Sequence, residues 1–275
     1  MSLIPEQFID SVVAIGVDSG GQKNWIGTGF LFGDLIEKTN DNRNKYTIYL
    51  VTNKHVIKGF DSAIVKFNPQ TDQSSKDFPI ILKNADGKNV WTGHPDPNVD
   101  VAITILNHDV LTNAGMKFHF FQSDKDIMTS NEMYKEQILE GSFLYVLGFP
   151  MGIISSDRQY VFARMGIISR IKDLFENRSR DYVVDAPVFP GNSGGPVISK
   201  IENNFLVETK PITRTNLIGI IKAYIPYKET AYSLQTNQPR ITFEENSGLS
   251  LVEPVERIIE TIVEYKRINT VHSRS

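Results

Sequence analysis

Apolar residues along this chain fall in short runs rich in β-branched and aromatic side chains, separated by clusters of Gly, Pro, Asn, Asp and Ser. Tyr46 to Thr52 is one such run and Val101 to Leu106 another. Strands are expected near residues 11–17, 26–32, 46–52, 62–67, 78–82, 101–106, 143–148, 159–170, 182–185, 196–199, 205–209, 217–224 and 249–252. Only one stretch carries a strong helical period. Pro254 opens it, and Val255, Ile258, Ile259, Ile262 and Val263 share one face while Glu256 and Glu260 fall elsewhere. Many short strands and one helix predict an all-β protein built from barrels rather than an α/β layout.

Three polar stretches read as surface insertions: Asp34 to Lys45, Asn68 to Lys76, and Pro226 to Ser247. Phe121 to Glu140 reads as a connector with a short helix around Met133 to Leu139. The expected organisation is an N-terminal barrel over residues 1–120, a linker over 121–140 and a C-terminal barrel over 141–270 with a helix that closes it. No internal repeat or low-complexity segment interrupts this order.

Candidate chemistry centres on Pro190-Gly191-Asn192-Ser193-Gly194-Gly195-Pro196. Its glycines allow positive φ and let main-chain N–H groups converge beside one serine, as a nucleophile next to an oxyanion-binding site requires. Gly-x-Ser-x-Gly also marks the nucleophile elbow of α/β-hydrolases, where a helix follows the serine. Here Pro196 and Val197-Ile198-Ser199 follow, which reads as a buried strand. No aspartate comes after Ser193, and the one later histidine, His272, lies in the polar end of the chain. A base must therefore come from upstream.

Two upstream positions qualify. His55 ends the strand at Tyr46 to Thr52, and Asp100 stands at the mouth of the apolar run that begins at Val101. Asp96 lies in a Pro-flanked turn that needs no chemistry to explain it. Together they give the order His, Asp, Ser, in which the carboxylate orients the imidazole and the imidazole serves the hydroxyl. A lone histidine at a strand end is usually structural; the matching Asp100 and Ser193 segments reverse that reading for His55. His94, His108 and His119 lack such company and no zinc-type spacing, and read as surface or turn residues. Gly27 and Gly29 are not followed by the Gly-Lys-Ser/Thr of a phosphate loop and read as packing positions.

These segments resemble the trypsin/chymotrypsin-like serine peptidases, and most closely their bacterial HtrA-like and stand-alone trypsin-like branch. Gly27-Thr28-Gly29-Phe30, Leu50-Val51-Thr52-Asn53-Lys54-His55, Asp100-Val101-Ala102-Ile103 and Asp185-Ala186 through Pro196 carry the resemblance, with weaker echoes at Val146 to Pro150 and Gly166 to Ser169. It implies two packed antiparallel β-barrels, chymotrypsin-like, with a C-terminal helix. It further implies His55, Asp100 and Ser193 as catalytic residues, the N–H groups of Gly191 and Ser193 as the oxyanion hole, and no metal or organic cofactor. Asp185, Val188, Ile221 and Ala223 are implied around the substrate pocket, which would make it small and apolar apart from Asp185. Asn192 departs from the aspartate that pairs with a new N-terminus in zymogen-activated relatives. No PDZ domain is expected after the helix.

Composition narrows the classes that remain. A net charge of −3 with 22% charged residues argues against nucleic-acid or membrane-surface binding by bulk electrostatics. No apolar stretch reaches the length of a membrane span; Leu217 to Ile221 stops at Lys222. Zero cysteines and no recognisable signal peptide suit a cytoplasmic, reducing setting. The function expected is a serine endopeptidase that acts on protein or peptide substrates through an acyl-enzyme, with small or medium apolar residues before the cut. A latent or non-catalytic binding protein of the same fold and an esterase-type acyl hydrolase are the alternatives. Oligomeric state is not readable from the chain.

Overall fold

The computed structural model describes residues 3–39, 44–155, 157–202 and 210–272. The expected strand at 205–209 and part of the 34–45 insertion lie outside the described residues. The first half folds into a sheet of eight strands: β1 Val12–Ser19, β2 Gln22–Glu37, β3 Lys45–Thr52, β4 Ser62–Phe67, β5 Lys76–Ile81, β6 Thr92–Gly93, β7 Ala102–Ile105 and β8 Phe121–Gln122. Its order is β5-β4-β1-β2-β3-β7-β6, with β8 pairing β2 in parallel. The second half is a closed six-strand barrel in the order β10-β11-β14-β13-β12-β9. Its strands are β9 Phe143–Gly148, β10 Phe162–Arg170, β11 Tyr182–Asp185, β12 Pro196–Ser199, β13 Leu217–Tyr232 and β14 Pro239–Pro254. The all-β expectation holds; among the described residues hydrogen-bonded closure is complete in the second unit, while the first follows an open path.

Helices are short except the last: α1 Glu6–Ile9, α2 Lys54–Ile57, α3 His108–Asn113, α4 Ser130–Lys135, α5 Lys172–Phe175 and α6 Glu256–His272. The connector helix begins a turn earlier than the pattern predicts, because Thr129 and Glu132 form a capping box that fixes its start. Along α6, Ile258 and Ile262 are buried as expected, but Val263 is 59% exposed. The second barrel is closed by its own strands, and the helix packs across to the first sheet. It lies against β6 and β7 of the first sheet; Tyr265 meets the ring of Tyr49 on β3 edge-on, and Glu260 bonds to Nε2 of His94, just after β6, at 2.7 Å. His94 is accordingly buried rather than a surface residue.

Three apolar cores follow from the strand alternation. Ile15, Leu31, Leu50, Ile57 and Val65 fill the first sheet, and Leu144, Val146, Tyr182, Val197, Ile221 and Val252 fill the barrel. The third core lies between the units: Val12, Phe30, Val51, Val99 and Val101 meet Leu147, Phe149, Leu217, Ile220, Val255 and Ile258. Burial at about 25 cal/mol per Å² makes this shared core the main force that joins the two sheets.

The stretch from Pro226 to Ser247 is not an irregular insertion. It is the outer part of one long hairpin, in which β13 and β14 pair from Gly219↔Pro254 to Tyr232↔Pro239. Residues 227–232 and 239–247 are exposed, and the hairpin is anchored at its base, where Asn246 Nδ2 donates to Val188 O at 2.6 Å. Alternation of apolar and polar residues is weak here because neither face of the hairpin packs on a core.

A charged group also enters the first sheet. Lys66, 7% exposed, pairs with Asp77 Oδ1 at 2.8 Å and lies over the Trp25 ring, while Lys23 bonds the same carboxylate. Burial alone would raise the Asp77 pKa, but the two ammonium groups outweigh it and hold the carboxyl below its usual range. A depressed pKa in the folded state contributes stability that is present above the unfolded value and lost as pH falls through the folded one. Asp77→Asn is expected to cost about 3 kcal/mol at neutral pH. Urea unfolding across a pH series should show a shallower loss of stability on the acid side for this variant than for the wild type.

Candidate active site

The three residues singled out in the sequence come from different elements. β3 ends at Thr52, and the chain turns through Asn53 into the single helical turn α2, so His55 belongs to a helix and not to the strand end. Val56 and Ile57 anchor that turn in the first core, which leaves the His55 ring half-exposed at 51%. Asp100 precedes β7, with Val99 and Val101 buried on either side of it in the shared core. Ser193 lies in the loop before β12, which packs on β2: Thr28 N–H donates to Ser193 O at 2.9 Å. Gly27, the preceding residue, lacks the Cβ that would come within 2.6 Å of Val56 Cγ1 and 3.4 Å of Ser193 O. The absence of that atom lets the histidine turn and the serine loop approach over one strand.

His55 and Asp100 meet directly. Nδ1 of His55 bonds to Asp100 Oδ2, and the main-chain N–H of His55 donates to Asp100 Oδ1 at 3.1 Å. Asn53 Nδ2 donates to the main-chain O of Asp100 at 2.6 Å, and the main-chain N–H of Asp100 donates to Glu253 Oε1 at 3.0 Å. Every polar group of Asp100 is thereby engaged. Asp96, by contrast, accepts from Asn98 N in its turn and pairs with Arg180 at 2.7 Å on the surface. The Ser193 hydroxyl donates to the main-chain O of Lys222 at 3.5 Å, and among the described residues it makes no bond to His55.

In the serine loop the N–H groups of Asn192, Gly194 and Gly195 are taken up by Phe189 O, Ile221 O and Asn192 O. Those of Gly191 and Ser193 make no hydrogen bond among the described residues. Gly191 has φ +96°, and a Cβ there would fall 2.4 Å from Phe149 O, so no side chain fits. Asn192 turns inward, fully buried, where its Oδ1 accepts from Phe189 N at 3.1 Å. Thr28 holds the loop from below: Oγ1 donates to Gly191 O at 2.6 Å and accepts from Phe149 N at 3.0 Å, while Thr52 Oγ1 donates to its carbonyl at 2.8 Å.

Of the residues placed around the substrate pocket, Asp185 is exposed at the end of β11 and Ala223 is partly exposed on β13. Val188 and Ile221 are buried in the barrel core. Arg164 lies against the same segment, donating to Pro187 O at 2.8 Å with its guanidinium 5.1 Å over the Phe189 ring. Among the described residues no cluster of His, Asp or Glu is arranged to hold a metal ion, and no helix is long and apolar enough to cross a membrane.

The family model for the trypsin-like peptidase domain matches residues 27–206, well over half of the 275-residue chain. The chain belongs to that family, and its class is that of the serine proteases. Among solved structures it is similar to the HtrA-type protease AlgW with a decapeptide, at 17% identity and a TM-score of 0.46, covering 94% of this chain and 66% of that one. It is also similar to the Rv3671c protease in an inactive form, at 17% identity and a TM-score of 0.44, covering 94% of this chain and 89% of that one. No curated protein matches the chain.

Four residues that touch the site escaped the sequence reading: Thr28, Asn53, Lys222 and Glu253. Each is a polar residue within or beside an apolar run, and that was the available signal. Thr28→Val should strip a partner from both Gly191 O and Phe149 N, costing about 2–6 kcal/mol at about 1–3 per unsatisfied buried group. Thr28→Ser keeps the hydroxyl and should unfold in urea close to wild type.

Proposed function

We propose that the protein is a serine endopeptidase in which Ser193, His55 and Asp100 form the catalytic triad. The observation that carries this reading is the His55 Nδ1 to Asp100 Oδ2 bond, which leaves Nε2 as the free basic nitrogen on a half-exposed ring. Turnover requires the Ser193 hydroxyl to leave the Lys222 carbonyl and donate to Nε2. Its oxygen then attacks the scissile carbonyl carbon while Nε2 takes the proton, and the oxyanion develops against the N–H groups of Gly191 and Ser193. As the C–N bond breaks, His55 passes the proton to the departing amine. Water then attacks the acyl-Ser193 ester with His55 as base, releasing the acid and restoring the hydroxyl.

The Pro190 to Gly191 peptide supports the oxyanion assignment. Its carbonyl accepts from Met151 N at 2.5 Å, so in a trans peptide its N–H faces the opposite way, unbonded among the described residues. Asn192 is neutral and buried, which fits a loop ordered without a newly cleaved N-terminus. For the residue before the cut we propose small or medium apolar side chains. Ala223 offers little bulk, and the positive charge of Arg164 on the 187–189 segment works against recruiting Lys or Arg despite Asp185.

A fluorophosphonate probe should label the wild type at Ser193, with labelling abolished in Ser193→Ala and slowed at least about a hundredfold in His55→Ala. Absence of Ser193-dependent labelling contradicts the enzyme and favours a binding protein of this fold; labelling with ester but no peptide turnover points to an esterase. A peptide-library profile should be dominated by Val, Ala and Leu before the cut. Dominance of Lys or Arg there contradicts the proposed pocket.

A further inference from the structure

The shift in β13–β14 register at the active site is not a packing accident. Ile221 pairs with Val252 and Ala223 with Leu251, so Lys222 is an extra, unpaired residue on β13. A bulge of this kind re-aims both the carbonyl and the side chain of the inserted residue. The carbonyl of Lys222 receives the Ser193 hydroxyl. Its ammonium turns the other way, to Glu253 Oε1, Asp181 Oδ2 and the main-chain O of Asn98, each at 3.0 Å.

Glu253 has no exposed surface, and the oxygen that meets Lys222 is also the one that accepts the main-chain N–H of Asp100. It stands next to Val252 on β14, and its ladder partner is Ile220, so an apolar residue would suit its surroundings. Burying an ion pair is a poor way to gain stability, since desolvation offsets most of the attraction. Burial raises the Glu253 carboxyl above its usual range, with the Asp100 N–H and Lys222 offsetting only part of it. Lys222 would be lowered by its own burial, but two carboxylates hold it above its ordinary value and charged. What the pair does supply is a fixed link. One residue touches the nucleophile with its carbonyl and, through its ammonium and Glu253, the main chain on either side of Val99.

We propose that the bulged Lys222, with Glu253 and Asp181, is a positioning clamp that sets Asp100 and Ser193 in register across the two sheets. The clamp rests on the triad reading above, and the test separates the two. In Lys222→Met and in Glu253→Met, fluorophosphonate labelling of Ser193 should slow at least about tenfold, a loss of about 1.4 kcal/mol in transition-state stabilisation. Glu253→Gln, which keeps an acceptor for the Asp100 N–H, should recover part of that rate.

The decisive variant is the double Lys222→Met/Glu253→Met. Replacing both charges with apolar side chains should bring the urea midpoint back toward wild type. Labelling should nevertheless stay about tenfold slow, with the Asp100 amide exchanging its hydrogen faster than in the wild type. A double variant that labels at the wild-type rate overturns the clamp. If the wild type is not labelled at all, the triad reading fails, and amide exchange decides the clamp alone: unchanged protection of Asp100 in the double variant overturns it.

Discussion

A carboxylate can orient an imidazole only if it cannot itself turn, and Asp100 has no polar atom left free to turn with. Its two side-chain oxygens meet the ring and the main-chain N–H of His55, its carbonyl meets Asn53, and its N–H meets Glu253. Val99 and Val101, buried in the core between the sheets, hold the backbone on both sides. The site is therefore built where the two units meet, and its geometry depends on their contact remaining closed. Apolar area supplies that closure and hydrogen bonds direct it, since each bond adds about 1 kcal/mol while fixing an angle.

The serine loop is organised by the same logic from the other side. Thr28, at the centre of β2, bonds through its N–H, carbonyl and hydroxyl to Ser193, Thr52, Gly191 and Phe149. A single buried threonine thus ties the loop of the second barrel to the strand of the first. With Lys222 accepting from its hydroxyl, Ser193 is held between two elements that each reach across the interface. Glycine makes the positive φ at 191 accessible, and the surrounding bonds select it.

Much of this was legible in the chain. The strands with apolar alternation appear within a few residues of their expected places, because each has one face in a core. His55, Asp100 and Ser193 stood out because polar, chemistry-bearing residues interrupt apolar or glycine-rich runs. What could not be read depends on contacts distant in sequence. The long β13–β14 hairpin has exposed faces and so no period to reveal it, and α6 docks on β6 and β7 although its pattern says only that one face is buried. Lys222 reads only as the residue that stops an apolar run inside the expected 217–224 strand; the bulge that turns it into a bridge is a property of the pairing, not of the residue. Val188, in the loop after β11, and Ile221, on β13, are buried in the barrel core, a depth set by contacts distant in sequence.

The central claim is that Ser193, His55 and Asp100 act as one unit that forms an acyl-enzyme. Intact-mass analysis of protein quenched in acid after brief exposure to an activated peptide ester tests it directly. The account predicts one acyl group per chain, mapped to the peptide that contains Ser193, absent in Ser193→Ala and accumulating far more slowly in Asp100→Asn. No adduct on the wild type, or an adduct that persists when Ser193 is replaced, would contradict it.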